Sequence, residues 1–136
     1  MTTRVSLFAT CLVDQLWPLA GVATVRVLRR AGCEVIFNPQ QTCCGQPAFN
    51  SGFREDARAV ARTLIESYER ERADAIVLPS GSCAAMFHHL PELFEGDEKW
   101  QSRARAISER ASELGWFLVR KLGIVDFGAR FPGRVT

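Results

Sequence analysis

Short apolar segments alternate along the chain with longer segments in which apolar residues recur every three or four positions. The first pattern is typical of buried strands and the second of amphipathic helices. Three short apolar runs predict strands at residues 5–10, 34–37 and 75–78. Periodic segments predict helices at residues 18–30 and 54–70, and a further helix from Cys83 toward His89.

The longest periodic segment lies near the C-terminus, at residues 97–122. Its apolar positions are three or four residues apart throughout: Trp100, Ala104, Ile107, Ala111, Leu114, Leu118 and Leu122. This spacing predicts a single long helix that ends at Gly123. We interpret residues 134–136 as the beginning of a further strand.

Strands that are separated by helical segments form parallel sheets through right-handed crossovers. The pattern therefore predicts an α/β fold. We expect a small three-layer Rossmann-like domain with a mainly parallel sheet of three or four strands, plus a long C-terminal helix. Residues 1–136 are expected to form this single domain, because 136 residues is a usual domain size.

Composition and charge exclude several classes of protein. Hydrophobic residues make up 47% and charged residues 24% of the sequence, as in ordinary globular proteins, which argues against disorder. The net charge of +2 gives no support for a nucleic-acid partner. No run of 18 apolar residues is present to span a membrane. The N-terminal segment lacks the pattern of a signal peptide, so we expect a cytoplasmic protein.

Four of the five cysteines follow predicted strands. Cys11 follows the first, Cys43 and Cys44 lie in a polar loop (residues 40–52) after the second, and Cys83 follows the third. Because parallel strands end at the same edge of a sheet, these four thiols are expected at one edge, where α/β proteins build their sites. Cys33 precedes the second strand and is expected to be a small core residue.

The chain around these thiols is uncharged. Residues 5–13, 35–53 and 75–91 contain no Asp, Glu, Lys or Arg. A thiolate in such surroundings needs a metal ion, a helix N-terminus or a cation to stabilise its charge. Cysteines of a reducing compartment bind metal or perform thiol chemistry more often than they form structural disulfides.

Other candidate residues carry weaker signals. His88 and His89 cannot both face Cys83 on one helix, and we expect them at the surface. The turn from Ser80 to Ser82 has the small residues of a phosphate-binding turn, but the glycine motifs of nucleotide sites are absent from the sequence. Trp100 and Trp116 are expected to be packing residues.

The cysteine pattern resembles the cysteine-rich CCG domain family, which includes the cysteine-rich subunit of heterodisulfide reductase and the glycolate oxidase iron–sulfur subunit. The resemblance rests on SLFATCLVD (residues 6–14), TCCGQPAFNSG (42–52) and PSGSCAAMF (79–87). In the family, a Cys, a Cys-Cys-Gly and a Cys-x-x-Cys follow one another along the chain. Their separations are similar to those between Cys11, the Cys43-Cys44-Gly45 motif and Cys83 here. The three segments are most similar to the N-terminal half of the family's lactate-utilisation branch. This chain is then expected to be the first of two CCG repeats.

The resemblance implies a subunit of an iron–sulfur oxidoreductase. Its role would be electron transfer during oxidation of L-lactate, or a related 2-hydroxy acid, to pyruvate or the corresponding keto acid. The cofactor and metal ligands would be Cys11, Cys43, Cys44 and Cys83, surrounded by Gly45, Gln46, Asn50, Ser80 and Ser82. The implied partners are other subunits of a lactate-oxidising complex, and an isolated repeat could form a homo-oligomer.

One position departs from the family pattern. Ser80 stands where the family has the first cysteine of its Cys-x-x-Cys, so four cysteines remain where heterodisulfide reductase domains use five for an unusual cluster. Four thiolates suit an ordinary iron–sulfur centre, and equally a structural zinc ion. A metal-free site, in which Cys83 and one of the adjacent cysteines form a disulfide reversibly, is the third alternative.

Overall fold

The computed structural model describes residues 2–134. Its strands are β1 (Arg4–Leu7), β2 (Glu34–Phe37), β3 (Ala75–Leu78) and β4 (Ala111–Glu113). Its α-helices are α1 (Cys11–Gln15), α2 (Pro18–Arg30), α3 (Gln46–Asn50), α4 (Arg54–Arg70), α5 (Gly81–His89), α6 (Glu98–Arg110) and α7 (Leu114–Trp116). A 3₁₀ segment (Leu90–Phe94) follows α5, and a π-helical segment (Phe117–Lys121) continues α7.

The four strands form one parallel sheet in the order β2-β1-β3-β4. Val5 of β1 is in register with Val35 of β2 and with Ala75 of β3. The chain leaves β1 toward β2 and leaves β3 toward β4, in opposite directions across the sheet. The carboxyl ends of β1 and β3 therefore flank the crevice at which open α/β sheets bind ligands.

Helices cover both faces of the sheet. Since successive side chains of a strand point to opposite faces, one strand contributes to a core cluster on each face. Ile76 and Leu78 pack in a core cluster with residues of α4, α5 and α6. Val77, between them, packs in a second cluster with Leu28 of α2 and Phe117. This arrangement confirms the α/β fold, the three layers and the small Rossmann-like domain that the sequence predicts. None of the helices among residues 2–134 is long and apolar enough to cross a membrane.

Near the site, the structure corrects three predicted boundaries. The first strand ends at Leu7 rather than at residue 10, because Thr10 caps a short helix: its Oγ1 accepts a hydrogen bond from the Val13 N–H at 3.3 Å. The predicted loop 40–52 contains α3. Helix α5 begins two residues before Cys83, at Gly81.

The predicted long C-terminal helix is wrong. Helix α6 ends at Arg110, and Ala111–Glu113 form β4, in which Ser112 is in register with Val77. Helical structure resumes only at Leu114, where the Glu113 carboxylate accepts a hydrogen bond from the Trp116 N–H at 3.0 Å. Of the further strand predicted at residues 134–136, positions 135 and 136 lie outside the described residues.

Candidate functional site

Three strand-to-helix connections bring the four predicted thiols to the carboxyl edge of the sheet. Cys11 is the first residue of α1 after β1, Cys43 and Cys44 precede α3 after β2, and Cys83 is the third residue of α5 after β3. Cys33, which precedes β2, is buried in the second core cluster beside Val5 and Leu28. The sheet topology thus separates Cys33 from the other four.

Cys44 and Cys83 are in direct contact. Their Sγ atoms lie 3.5 Å apart, and the Cys44 thiol donates to the Cys83 sulfur. Cys44 is 3% exposed and Cys83 is 7% exposed, so both residues are buried. This contact joins residues that are 39 positions apart in the sequence.

The contact makes the two thiols electrostatically different. The hydrogen bond from Cys44 lowers the pKa of Cys83 to about 6, with further lowering by the Ser80 and Ser82 hydroxyls and an opposing effect of burial. The pKa of Cys44 is raised, because its proton is held in the bond to Cys83 and because the thiol is buried. Cys83 is therefore the more acidic thiol of the pair, and Cys44 the one that retains its proton.

The position of Cys43 is set by a backbone turn that requires the glycine of the motif, Gly45. The Gly45 N–H donates to the Cys43 Sγ at 3.4 Å. Gly45 has a φ of 85°, which costs a residue with a Cβ about 1–2 kcal/mol, and it forms the N-cap of α3. The glycine thus lets the chain turn into α3 directly after two consecutive cysteines.

Cys11 is the exposed member of the group. Its pKa is raised, first by partial burial of the thiol and then by the neighbouring Cys43 and Cys83 sulfurs. Because the Cys43 and Cys83 sulfurs both act on the Cys11 thiol, ionising all of the thiols together is unfavourable without a cation.

The surrounding residues named from the sequence have different positions. Gln46 donates through Nε2 to the Ser82 carbonyl oxygen at 3.1 Å, which ties α3 to the start of α5. The Ser80 and Ser82 hydroxyls are hydrogen-bonded at 3.2 Å. Asn50 is exposed at the last position of α3, and among the described side chains none forms a hydrogen bond with it.

Gln41 is a site residue that the sequence analysis missed. Its Oε1 accepts from the Ala9 N–H at 3.1 Å, and its Nε2 donates to the Ala9 carbonyl at 2.6 Å. These bonds join the Cys43–Cys44 segment to the end of β1. A polar residue in a polar loop carries no local signal of such a contact, since its partner is 32 positions away.

A small cavity of about 280 Å³ adjoins the thiols. Its lining includes Cys11 and Cys43, together with Gln41, Phe37 and Asp14. Asp14 is the charged side chain among the described residues that line it. The cavity therefore offers no cation to an anionic ligand.

Among the described residues, neither histidine lines the cavity beside Cys11 and Cys43, and neither do Trp100 and Trp116. His88 and His89 are both exposed, as predicted; His88 is hydrogen-bonded to Ser108, and His89 to Glu92. Trp100 stacks on Phe94, with ring centroids 5.5 Å apart, and is a packing residue. Trp116, in contrast, is half exposed at 50%.

The donor chemistry of the site fits a thiolate-bound metal group, although the thiols are not closed around a centre. Among residues 2–134, no three His, Cys, Asp or Glu side chains form a group that could hold a metal ion. The Cys44–Cys83 sulfur separation of 3.5 Å is nevertheless close to the roughly 3.8 Å between ligands in a tetrahedral site with metal–sulfur bonds of about 2.3 Å. The sulfurs of Cys44 and Cys83 thus already lie at about the distance expected between two ligands of one metal ion.

Comparison with known proteins agrees with the cysteine pattern. The family of the cysteine-rich domain named CCG matches residues 5–88, which include all four clustered cysteines. The chain belongs to this cysteine-rich CCG domain family. The match confirms the resemblance seen in the sequence, and no solved structure matches this CCG chain.

Curated relatives of this CCG domain are named Lactate utilization protein A. The chain is 46% identical over 133 residues to that of Macrococcus caseolyticus, 47% to that of a Geobacillus species and 48% to that of an Exiguobacterium species. Each alignment covers 98% of this chain and 54–55% of the relative. The chain thus spans about half the length of the curated relatives it matches.

Proposed function

We propose that this CCG domain binds an iron–sulfur cluster through Cys11, Cys43, Cys44 and Cys83 and serves as an electron-transfer part of a lactate-utilisation oxidoreductase. The whole enzyme would oxidise L-lactate, or a related 2-hydroxy acid, to its keto acid. The name of the relatives supports the metabolic role. The observation that carries the site is the 3.5 Å contact between the Cys44 and Cys83 sulfurs.

The chain's own residues would provide the ligands and the electrostatic environment. Cys44 and Cys83 form the buried side of the site, and the Gly45 N–H donates to Cys43. Ser80 and Ser82 stabilise negative charge on Cys83. A bound iron–sulfur cluster supplies the capacity to accept and donate single electrons, and hydrogen bonds to its sulfur ligands tune its potential.

The site suits the transfer of electrons better than the binding of the hydroxy acid itself. A 2-hydroxy acid is an anion at neutral pH, and recognition of a carboxylate generally uses Arg or Lys. The described lining of the adjoining cavity supplies Asp14 instead. The proposal therefore assigns hydroxy-acid binding to other parts of a cytoplasmic complex, which carry flavin or further clusters.

The test is the metal content of protein purified without oxygen. We expect iron together with acid-labile sulfide, and a broad visible absorption that dithionite bleaches. Cys43→Ser should lose at least most of the iron and the absorption, whereas Cys33→Ser, which alters the one cysteine outside the group, should retain both.

Two results would contradict the proposal. Unchanged iron content and absorption in Cys43→Ser would show that Cys43 is not a ligand of the cluster. One zinc ion per chain, without iron, sulfide or colour, would establish a structural zinc module, which the same sulfur spacing also accommodates.

A further inference from the structure

Cys44 and Cys83 have a second chemistry available to them when no metal is bound. Their sulfurs touch at 3.5 Å, and a disulfide requires them to close to about 2.05 Å. Cys44 lies in the loop before α3 and Cys83 in the first turn of α5, so side-chain rotation on two separate segments can supply the movement.

We propose that Cys44 and Cys83 are an oxidative modification site: in the metal-free domain, a two-electron oxidant of the peroxide class joins them in a reversible disulfide. Formation of the bond would remove two of the four thiolates that the proposed function requires, and reduction would restore them. The disulfide itself does not depend on the proposed function; only its effect on metal binding does.

The alternative pairings are less favourable. Cys43 and Cys44 are consecutive, and neighbouring Cα atoms about 3.8 Å apart strain a disulfide. The Cys43 sulfur accepts the Gly45 N–H at 3.4 Å, which holds it toward its own turn. Cys33 is buried in the second core cluster, and Cys11, which neighbours Cys43 and Cys83, is distinguished by the mapping described below.

The hydrogen bond between the pair indicates the order of the chemistry. Cys44 is the donor of the pair and Cys83 the acceptor, so we assign the Cys83 sulfur as the nucleophile that attacks peroxide. The O–O bond breaks, Cys83 becomes a sulfenic acid, and one water leaves. The Cys44 sulfur then attacks the Cys83 sulfur: the S–S bond forms, the S–O bond breaks, and a second water leaves with the Cys44 proton. Two thiols are oxidised and one peroxide is reduced.

The disulfide would exclude a metal ion, because the thiolate is the metal ligand and a disulfide sulfur carries no such charge. Metal binding and oxidation of this pair are therefore mutually exclusive. The domain would accept its metal only in the reduced form.

The first experiment maps the disulfide in the metal-free, reduced protein after one equivalent of hydrogen peroxide. We expect the loss of two of the five thiols. Trypsin cleaves after Arg30 and Arg54, and after Arg72 and Lys99, so Cys44 and Cys83 fall on different peptides that mass spectrometry can find linked. A phosphine reductant should separate the two peptides, and fragmentation of the linked pair should place the bond at Cys44.

Matched variants test the assignment. Cys44→Ser and Cys83→Ser should each abolish the link, and Cys33→Ser should leave it unchanged. A link from Cys83 to Cys11 or Cys43 in the wild-type protein, or oxidation to sulfinic acid without any link, would overturn the proposal. The wild-type mapping decides the question even where a variant folds poorly.

The second experiment measures the consequence with Co²⁺ as the probe. The peroxide-treated protein should show at least tenfold weaker sulfur-to-cobalt charge-transfer absorption than the reduced protein, and the phosphine should restore it. Equal absorption in both forms would overturn the exclusion of metal. If the reduced protein binds neither cobalt nor iron, the proposed function fails while the mapped disulfide stands.

Discussion

The four clustered thiols have the same chemistry but different surroundings. Cys44 is 3% exposed and donates to Cys83, whereas Cys11 is exposed at the start of α1. The buried pair therefore fixes one side of the site, and Cys11 lies on the side open to solvent. We therefore expect an incoming metal ion to reach the thiols from the Cys11 side.

Gln41 is the residue outside the cysteines whose replacement tests the site's architecture. Gln41→Ala removes both hydrogen bonds to the Ala9 backbone, and a net value near 1 kcal/mol each gives a loss of about 2 kcal/mol in the free energy of unfolding. Urea denaturation of the metal-free protein measures this loss. Because the bonds hold the Cys43–Cys44 segment to β1, Co²⁺ affinity should fall as well.

The neighbouring Gln40 provides the control. Its side chain is exposed, and the hydrogen bond at this position uses its backbone N–H, so Gln40→Ala should stay within about 0.5 kcal/mol of the wild type. An equal loss in the two variants would show that the Ala9 contact contributes nothing of its own.

At the scale of residues, the sequence predicted the gathering of the thiols because each follows a strand. Parallel pairing alone brings Cys11, Cys43, Cys44 and Cys83 to one edge. The specific contacts could not be predicted from the sequence pattern. Which thiols touch depends on side-chain packing, and the Gln41–Ala9 hydrogen bonds join residues that are distant along the chain.

Between elements, helices α4 and α6 are joined by an ion pair on the surface. Arg103 binds both carboxylate oxygens of Glu69, at 2.8 and 2.7 Å, and its guanidinium lies 3.8 Å from the centre of the Trp100 ring. The hydrogen bonds from Arg103 lower the pKa of Glu69. The two-point geometry makes this a better-ordered contact than most surface pairs.

We expect Glu69→Gln to lose about 0.5 kcal/mol of stability at neutral pH, as is usual for exposed pairs. Because the folded pKa of Glu69 lies below its ordinary 4.5, the contribution is complete above that pH and is lost as the pH falls through the lowered value. Urea denaturation over a pH series should therefore show the variant and the wild type converging in acid.

Glu66→Gln is the matched control on the same helix. Glu66 lies 4.0 Å from Arg103, and its replacement should cost less than that of Glu69. A constant difference between Glu69→Gln and wild type from neutral to acidic pH would contradict the electrostatic explanation.

Local periodicity correctly predicted the elements whose long-range contacts favour the same secondary structure as their local pattern. Helices α2 and α4 and strands β2 and β3 have the expected bounds, because each shows one clear pattern over its length. It failed at Ala111–Glu113, where three residues within a helical stripe pair with β3 instead. That pairing is a long-range contact, and tertiary structure overrides propensity there.

For the whole molecule, metal binding should be coupled to global stability. The proposed ligands come from three connections that meet only in the folded sheet, so a metal ion should bind the folded state preferentially. At a free metal concentration 100 times the Kd, the gain is about 2.7 kcal/mol, or about 10 °C in Tm for a domain of this size. Thermal unfolding with and without Co²⁺ measures it.

The same variants separate this effect from nonspecific binding. Cys33→Ser should keep the full rise in Tm, and Cys43→Ser should lose most of it. A rise of equal size in both would mean that the metal binds outside the four thiols.

The central position of β1 in the sheet has a consequence for the nascent chain. β1 is synthesised first, yet its neighbours β2 and β3 are made later, and Cys83 leaves the ribosome 72 residues after Cys11. At about 5–20 residues per second, Cys11 waits roughly 4–14 s before its last partner thiol exists. Insertion of the proposed cofactor would therefore be a late event of biosynthesis, which follows translation of β3 rather than accompanying the emergence of the first cysteine.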